Sequence, residues 1–479
     1  MLKRAPHCRR ATGSVFVLCL SALALVGCVA SPPAPSAAVP VVAVPTAWAA
    51  TVASAAPAAP AATAAAPVDL ASWWRSFADP ELDALVARSL AAAPDLEACA
   101  ARVRAVRAMA QASNASLGPQ LSLVGMPQQS PDGRDNYFQS GVAAQWNVAL
   151  SQRQAAVKGL AEAELQIALA DEQAARATLV AEVARTYFEM RAAERDQQLL
   201  KQMVALSDER ARITRVLWQT RQVSAAEVES AVAIGVQVRA AAAQPAAEAA
   251  QARVRLAVLL GDLQAALPAP AASAAPAARV ALGLAALPAD LVRQRPGVRR
   301  AEQSVFKAAH ATGLARADAQ PQISLLGFVG LNFLVSGPAS SSLRGVFSAG
   351  PAFSMPLFDG GQREANQSAR HAEFDGATAL YRKEVMQAVA EAQAAMLQLD
   401  LERQRMAAAV AVEDTALRRA DSTDAQARAG LADGLQRTES RRAALQASRD
   451  TVRSALAEQV AYVELFTAFG GAALPAATP

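Results

Sequence analysis

The stretch Pro321-Gln322-Ile323-Ser324-Leu325-Leu326-Gly327 decides the fold, because it connects a helix-like segment to an apolar return run and then to a very long segment without proline. The helix-like segment spans 295–319, the return run spans 344–357, and the next proline after Gly361 is Pro475. A helix, an apolar hairpin and a very long helix in this order is unusual for a soluble domain. The same order occurs once earlier in the chain.

The earlier occurrence begins 202 residues upstream. Its first strand, Pro119-Gln120-Leu121-Ser122-Leu123-Val124-Gly125, shares five of seven positions with the later one, and Pro94 precedes Pro296 by the same 202 residues. The sequence therefore predicts two internal repeats, at 68–266 and 280–470, joined by an Ala/Pro linker at 267–279 and followed by a tail at 471–479.

Each repeat is expected to contribute two strands and two long helices. The return strand at 137–148 alternates apolar residues with small amide-rich ones, which fits either a solvated sheet or a lipid-facing wall around a water-filled lumen. The proline-free segment that follows this strand, from about Ser151, carries a coiled-coil seam at Val180, Val183, Tyr187 and Met190. The predicted strands are about 119–126, 137–148, 321–334 and 344–357, and the predicted long helices are about 151–220, 225–260, 361–429 and 432–468.

The N-terminus has the layout of a secretory signal, with a basic start, an apolar run and small residues before a cysteine. Leu25-Val26-Gly27-Cys28 is similar to a bacterial lipobox, so residues 1–27 are a predicted lipoprotein signal peptide and Cys28 the lipidated residue. The alternative is an ordinary signal peptide with a coincidental cysteine. Residues 28–67, rich in Ala and Pro and without charge, are the expected tether.

Charge and composition exclude several classes of function. Removing residues 1–27 removes four of the 46 basic residues and no acids, which leaves 42 basic against 42 acidic residues and no nucleic-acid footprint. No nucleophile elbow, phosphate loop or metal-ligand spacing is present. His310 and His371 stand apart from other ligands, and Cys99 is the only thiol left after Cys28. We expect no enzyme activity, no cofactor and no metal.

Four apolar strands cannot close on themselves, because small barrels need about eight strands and an open edge in lipid leaves backbone groups unpaired. Other copies of the chain must complete the sheet. Three copies would supply twelve strands, since each copy has four.

Several short motifs together carry a family resemblance. The chain resembles the TolC-type outer membrane efflux channels, and most closely their NodT-like lipoprotein branch, across nearly all of its length after the signal. The motifs are Trp73-Trp74 with Phe77, Asp79-Pro80, Pro94-Asp95-Leu96, Ala181-Glu182-Val183-Ala184-Arg185, Leu259-Leu260-Gly261, Arg295-Pro296 and Pro356-Leu357-Phe358-Asp359-Gly360-Gly361.

The resemblance implies an α+β membrane protein: a homotrimer with a twelve-stranded transmembrane β-barrel, continuous with a long periplasmic α-helical barrel. It implies a passive export conduit in the outer membrane, in contact with lipid, fed by a periplasmic adaptor and an inner membrane pump of the RND type. The barrel should meet the helices at Pro356, Gly360 and Gly361. A structural periplasmic coiled-coil lipoprotein, or an adaptor subunit of the same system, is the alternative function.

The resemblance also places a periplasmic gate where the long helices reverse. After Gly430, Leu435 would form an apolar constriction and Glu439 an acidic ring, with Gln436 replacing an acid found in some members. The alternative is that Glu439 is a solvated residue near a helix start. The first reversal, Arg221 to Ser224, lacks the glycine usual at its first position, so the chemistry of this gate departs from the family pattern.

Overall fold

A computed structural model describes residues 72–129, 136–148, 151–264, 267, 294–336 and 343–471, all within one compact unit. The expected signal peptide, Cys28 and the tether lie outside the described residues, as do most of the linker and nearly all of the C-terminal tail. No helix within the described ranges is long and apolar enough to cross a membrane.

The first repeat begins with a 3₁₀ turn, Trp73–Phe77. Helix α1 starts at Pro80 because the Asp79 side chain accepts hydrogen bonds from the backbone N–H groups of Glu81 and Leu82. The elements that follow are α1 (Pro80–Ala92), α2 (Pro94–Ala115), β1 (Gln120–Gln129), β2 (Asn136–Val148), α3 (Ser151–Gln219), α4 (Ala225–Ala241) and α5 (Ala243–Leu259). At 1.5 Å per residue, α3 is about 100 Å long.

From α2 onward the second repeat has the same order of described elements, with one helix in place of α4 and α5. They are α6 (Pro296–Ala317), β3 (Gln322–Ser336), β4 (Leu343–Ser354), α7 (Gln362–Arg428) and α8 (Gly434–Ala468). The predicted seam residues Val180, Val183, Tyr187 and Met190 are all buried, as expected for a helix packed on both sides.

Two predicted elements differ from the structure. The helix predicted at 225–260 is two helices with a break at Ala242, because Pro245 has no N–H to donate to the carbonyl of Ala241. The strand predicted at 344–357 ends at Ser354. Its last partner is Gln322, the first residue of β3, so the residues after Ser354 have no strand beside them within the described part of the chain.

The four strands form one antiparallel sheet in the order β1-β2-β3-β4. β2 and β3 belong to different repeats and are the central strands, with Val142 opposite Val329 and Trp146 opposite Leu325. β1 and β4 are the edges of the sheet as described. An edge strand exposes unpaired backbone N–H and C=O groups, which cannot remain unpaired in lipid.

The register shows that the two repeats match with one insertion. The pair Gln120 and Gln145 in the first hairpin corresponds to the pair Gln322 and Ser354 in the second. Before the hairpin loop the offset between the repeats is 202 positions, as from Gln120 to Gln322. Ser354 is 209 positions after Gln145, and the larger offset then holds to the end of the repeat, where Gly261 corresponds to Gly470, both with positive φ. The second repeat therefore carries seven extra residues at its hairpin: five extend β3 as far as Ser336, and two precede the position in β4 that is equivalent to the start of β2.

Helix α3 lies at the centre of the helical part. It packs against α2, α4 and α5 of its own repeat and against α6 and α8 of the second repeat. The short N-terminal elements pack against the end of α8. The Trp73 ring stacks on Phe466 at 4.9 Å between centroids, and the Trp73 Nε1 donates to the carbonyl of Gly471 at 3.0 Å. The first and last described residues are thereby held together.

Candidate functional site

One face of the sheet is a continuous apolar belt. The strand register places alternate residues of all four strands on this face, and most of their large side chains are exposed. The belt comprises Leu121, Leu123, Phe138, Val142, Trp146, Ile323, Leu325, Val329, Leu331, Phe333, Leu343, Phe347 and Phe353. Exposed apolar side chains on this scale mark a surface that is covered in the working protein, by lipid or by another protein.

The opposite face of the sheet is mostly polar. It carries the amides Gln120, Gln139, Gln145, Asn147, Gln322 and Asn332, and the small residues Ser122, Ser324, Ser348 and Ser354. The face also carries apolar side chains, among them Val124, Met126, Leu326 and Val346. In addition, the Phe328 ring lies over the paired backbones of Gly141 and Gly330, where an added Cβ would contact the ring. A polar face behind an apolar belt is the pattern of a water-filled barrel in a membrane.

The two helix reversals are built alike. At the first, the N–H of Gln222 donates to the carbonyl of Leu217 at 2.8 Å; at the second, the N–H of Leu431 donates to the carbonyl of Gln426 at 2.8 Å. Both are Schellman motifs, with Arg221 and Gly430 in the left-handed region at φ 59° and 74°. Ser224 then caps α4 in a capping box with Glu227.

The second reversal gives Gln436 a capping role. Its backbone N–H donates to Asp433 Oδ1 at 2.7 Å, and its side-chain oxygen accepts from the N–H of Asp433 at 3.2 Å. This is the capping box that starts α8, equivalent to Ser224 and Glu227. Leu435 lies between Asp433 and Gln436, in the first turn of α8, and is half-buried.

Glu439 does not stand as a free carboxylate. Its Oε2 lies 2.8 Å from Arg210 Nη1 on α3, and its Oε1 lies 2.6 Å from Arg442 Nη2 on α8. The hydrogen bond from Arg442 lowers the pKa of the Glu439 carboxyl, and Arg210 adds to this effect. The residue therefore stays ionised and links the two repeats, with two cations against one anion.

Further ion pairs join the same helices on the way to the reversals. Arg437 of α8 pairs with Glu209 of α3, and Arg449 of α8 pairs with Asp196 of α3, with 2.9 Å between Arg449 Nη2 and Asp196 Oδ2. Arg441 of α8 pairs with Asp424 of α7 and lowers the pKa of that carboxyl. Sequence reasoning missed these residues, because they are ordinary surface charges until the fold brings α3 and α8 together.

The junction between sheet and helix depends on Asp359, which belongs to the motif from Pro356 to Gly361 but was not among the predicted junction residues. Its carboxylate accepts from the N–H groups of Gly361 at 3.1 Å and Arg363 at 3.0 Å. Gly360 and Gly361 have positive φ values of 66° and 88°, so glycine is needed for the turn into α7. The adjacent Leu357 and Phe358 are 89% and 91% exposed.

A partly buried polar cluster holds the short N-terminal elements against α3. The Tyr187 hydroxyl lies 2.7 Å from Asp79 Oδ2, and Arg191 pairs with both Glu81 and Glu194. Burial raises the pKa of the Tyr187 phenol, so it remains a hydrogen-bond donor. Within the described ranges, no group of three or more His, Cys, Asp or Glu side chains is placed to hold a metal ion.

A sheet with an apolar belt, a polar opposite face and helices about 100 Å long is the architecture of a membrane channel with a helical extension. The family model described as outer membrane efflux protein matches residues 85–262 and 287–471. The chain belongs to the outer membrane efflux protein family.

Individual relatives agree. The chain is 27% identical to outer membrane protein OprJ of Pseudomonas aeruginosa over 424 residues, covering 85% of this chain and 87% of OprJ. It is 30% identical to the probable efflux pump outer membrane protein TtgC of Pseudomonas putida, covering 67% and 68%. The structure of the outer-membrane channel OprN superposes with a TM-score of 0.73 at 26% identity, covering 91% of this chain and 99% of OprN.

The predicted family, fold class and main function are thus confirmed. The chain is the outer membrane channel component of an efflux system and is located in the outer membrane. The family is one of channels, and the alternative of a structural coiled-coil lipoprotein leaves the apolar belt without a role. Lipidation, the pump, the adaptor and the gate residues remain predictions.

Proposed function

We propose that three copies of this chain form one passive conduit that carries small molecules from an inner membrane RND-type pump, through a periplasmic adaptor, across the outer membrane. The observation that supports it best is the belt on a sheet with two unpaired edges. Lipid accounts for the belt, and neighbouring copies account for the edges. Water in the lumen accounts for the amide-rich opposite face.

The gate belongs to the second reversal. Leu435 supplies the apolar constriction, and the ion pairs of Glu439 hold the end of α3 against the start of α8. Gln436 acts on the gate through the capping box, by fixing where α8 begins. Arg221, Ser224 and Gly430 shape the two turns that face the adaptor, and Pro356, Gly360 and Gly361 lead the barrel into the helices.

Cys28 would hold the lipid. A diacyl and acyl group on this residue anchors the N-terminus in the same membrane as the belt, and the tether between Cys28 and Trp73 gives it reach. The belt binds lipid independently, so the anchor adds to a membrane attachment that the sheet already provides.

The test is to purify the protein from outer membranes, establish its mass in detergent, and record currents across planar lipid bilayers. A conducting trimer whose open probability rises on replacing Leu435 with Ala is the expected result. A matched control is Leu431→Ala, an exposed leucine in the adjacent turn. A monomer without conductance in either the wild type or the Leu435→Ala variant would contradict the proposal.

A further inference from the structure

The four strands carry a single charged side chain, Arg344, near the start of β4. No Asp, Glu, Lys or second Arg occurs within β1, β2, β3 or β4 as the structure bounds them. All other strand residues are apolar, small or uncharged polar, although the whole chain holds 46 basic and 42 acidic residues. A charge that stands alone on this surface dominates the electrostatic potential along the strands.

The strand register places Arg344 on the polar face of the sheet. Its partner is Asn332 of β3, which also pairs with Gln139 of β2, and both amides belong to that face. The neighbouring Leu343 pairs with Phe333, and these two side chains belong to the apolar belt on the opposite face. Arg344 is exposed and forms no ion pair within the part of the chain that the structure describes. Its guanidinium therefore meets whatever ions occupy the polar side.

Arg344 also lies at one end of the sheet. The helices join all four strands at the same end, since β1 and β3 follow helices and β2 and β4 precede them, and the two hairpins lie at the other end. Arg344 is the second residue of β4, and ten residue pairs lead from its own pair to that of Gln322 and Ser354 at the helix end. At about 3.3 Å per residue, this is roughly 30 Å along the strand. Because the helices extend into the periplasm, the end with Arg344 opens to the outside.

From this we infer that Arg344 makes the outer mouth of the conduit a cationic ring, which favours anionic cargo over cationic cargo. The inference rests on the proposed assembly of three copies, which brings three Arg344 side chains to one level of the lumen. The substrate class that it names is small molecules bearing carboxylate, sulfate or phosphate groups. Rings of Arg or Lys give this selectivity in other pores.

The size of the lumen allows three guanidinium groups to act together. Twelve strands about 4.8 Å apart and tilted by about 40° enclose a barrel about 24 Å across between opposite backbones. Arginine side chains reach far into this space, so the three charges come to about one Debye length from each other, which is about 8 Å at physiological salt. Their potentials therefore overlap across the lumen. The apolar wall strengthens the effect, because low-dielectric surroundings concentrate the field in the water-filled opening.

The chemistry of arginine suits this position. Its guanidinium stays protonated at physiological pH and offers five N–H donors in a planar fork, which matches the oxygens of carboxylates and phosphates. The side-chain amides of Gln139 and Asn332 beside it supply further donors without charge. All these contacts are made in water. They attract an anion without holding it, as conduction requires.

The reversal potential of single channels tests the inference, because it measures the permeability of anions relative to cations. Planar bilayers that separate concentrated from dilute potassium chloride give this ratio for each variant. Arg344→Lys should keep the wild-type ratio of chloride to potassium permeability. Arg344→Gln should lower it by about threefold or more, and Arg344→Glu should lower it further. Each shift should shrink as salt screens the ring.

Moving the charge along the strand is the matched control. Arg344→Gln combined with Ser348→Arg places the cation four residues further along the same face of β4, and this variant should recover the anion preference. Asp132 and Asp135 of the first hairpin loop lie outside the described residues. The comparison of wild type with Arg344→Gln is therefore repeated with both changed to Asn, where the same decrease is expected.

An Arg344→Glu channel with the wild-type reversal potential would overturn the inference. That result is also the one expected of an arginine that only contacts lipid head groups at the rim. The mass in detergent and the wild-type conductance separate the two levels. A monomer without conductance contradicts the proposed conduit and the ring with it, whereas a conducting trimer with the same selectivity in all variants contradicts only the role of Arg344.

Discussion

Arg210 and Glu439 lie 229 residues apart in the chain, and their side chains meet with 2.8 Å between Nη1 and Oε2. The contact joins the end of α3 in the first repeat to the start of α8 in the second. Because Arg442 holds the other carboxylate oxygen, Glu439 connects two cations across the boundary between the repeats. The position predicted as an acidic ring is therefore the centre of an ionic contact.

Replacing Glu439 with Gln should loosen the reversals and raise the open probability of single channels severalfold. The amide cannot neutralise Arg210 and Arg442, and the two guanidinium groups then repel each other. Planar bilayer recordings at low and high salt measure the effect, which should shrink as salt screens the charges. Glu229→Gln is the control, because Glu229 is an exposed carboxylate on α4 with no ion-pair partner among the described residues. Equal currents in the two variants would contradict the role of Glu439.

Acid should open the channel in the same way. The pKa of Glu439 is lowered from its ordinary value of 4.5 in the folded protein, so the ionised form is favoured by folding. A carboxyl group whose pKa is lowered by folding stabilises the folded protein fully at pH values above its ordinary pKa. This stabilisation is lost as the pH falls through the lowered pKa. The open probability of the channel should therefore stay constant from about pH 8 to about pH 5 and rise as the pH falls further. A rise centred near neutral pH would point to a different group.

Arg221 occupies a backbone conformation that favours glycine, with φ at 59°. Arg221→Gly should stabilise the first reversal by about 1 kcal/mol, because a Cβ in the left-handed region costs energy that glycine avoids. Hydrogen exchange at the backbone amides of Gln222 and Val223 measures local opening. Gly430→Ala should destabilise the equivalent second turn, since φ at this position is 74°. An added Cβ meets no other atom there, so the backbone conformation is the source of the effect. Faster exchange in Arg221→Gly would contradict the interpretation.

The sequence predicted the elements whose evidence is local. The alternation in 137–148 lies within one strand, and the seam from Val180 to Met190 lies within one helix. The pattern of burial along each element can therefore be read from the order of its residues. The turn at Gly360-Gly361 is visible for the same reason, because positive φ favours glycine. These features needed no knowledge of which helix packs beside which.

The contacts at the gate could not be predicted in this way. Glu209 with Arg437 and Arg210 with Glu439 join residues more than 225 positions apart, and exposed arginines and glutamates occur throughout these helices. The sequence analysis missed the repeat offset of 209. The long helices of the two repeats share few identical residues apart from short runs, such as Val180-Ala181-Glu182 and Val389-Ala390-Glu391. Strand pairing reveals the offset, since register is a geometric relation.

Cys28→Ala should remove the lipid and leave the channel in the outer membrane. The belt buries apolar side chains in lipid without help from an acyl chain, so the variant should still fractionate with outer membranes as the same oligomer. Mass spectrometry of the mature N-terminus checks the modification, and the matched control is Cys99→Ala, which should remain acylated. An unmodified wild-type N-terminus would show that Cys28 is not the lipidated residue.

The belt itself can be tested by placing one charge on either face of the sheet. Val329 lies on the belt face of the central strand β3 and is 58% exposed in the single chain, opposite Val142 and Phe347. Val329→Arg should destabilise the folded protein by about 2–4 kcal/mol, because a guanidinium near the bilayer midplane loses its hydration. Ser348→Arg is the matched control: it places the same side chain on the polar face, in water, and should change the folding free energy little. Urea unfolding in lipid vesicles, followed by loss of the heat-modifiable band on gels, measures both variants. Equal destabilisation would mean that the two faces meet the same environment, and a lipid-facing belt would then be wrong.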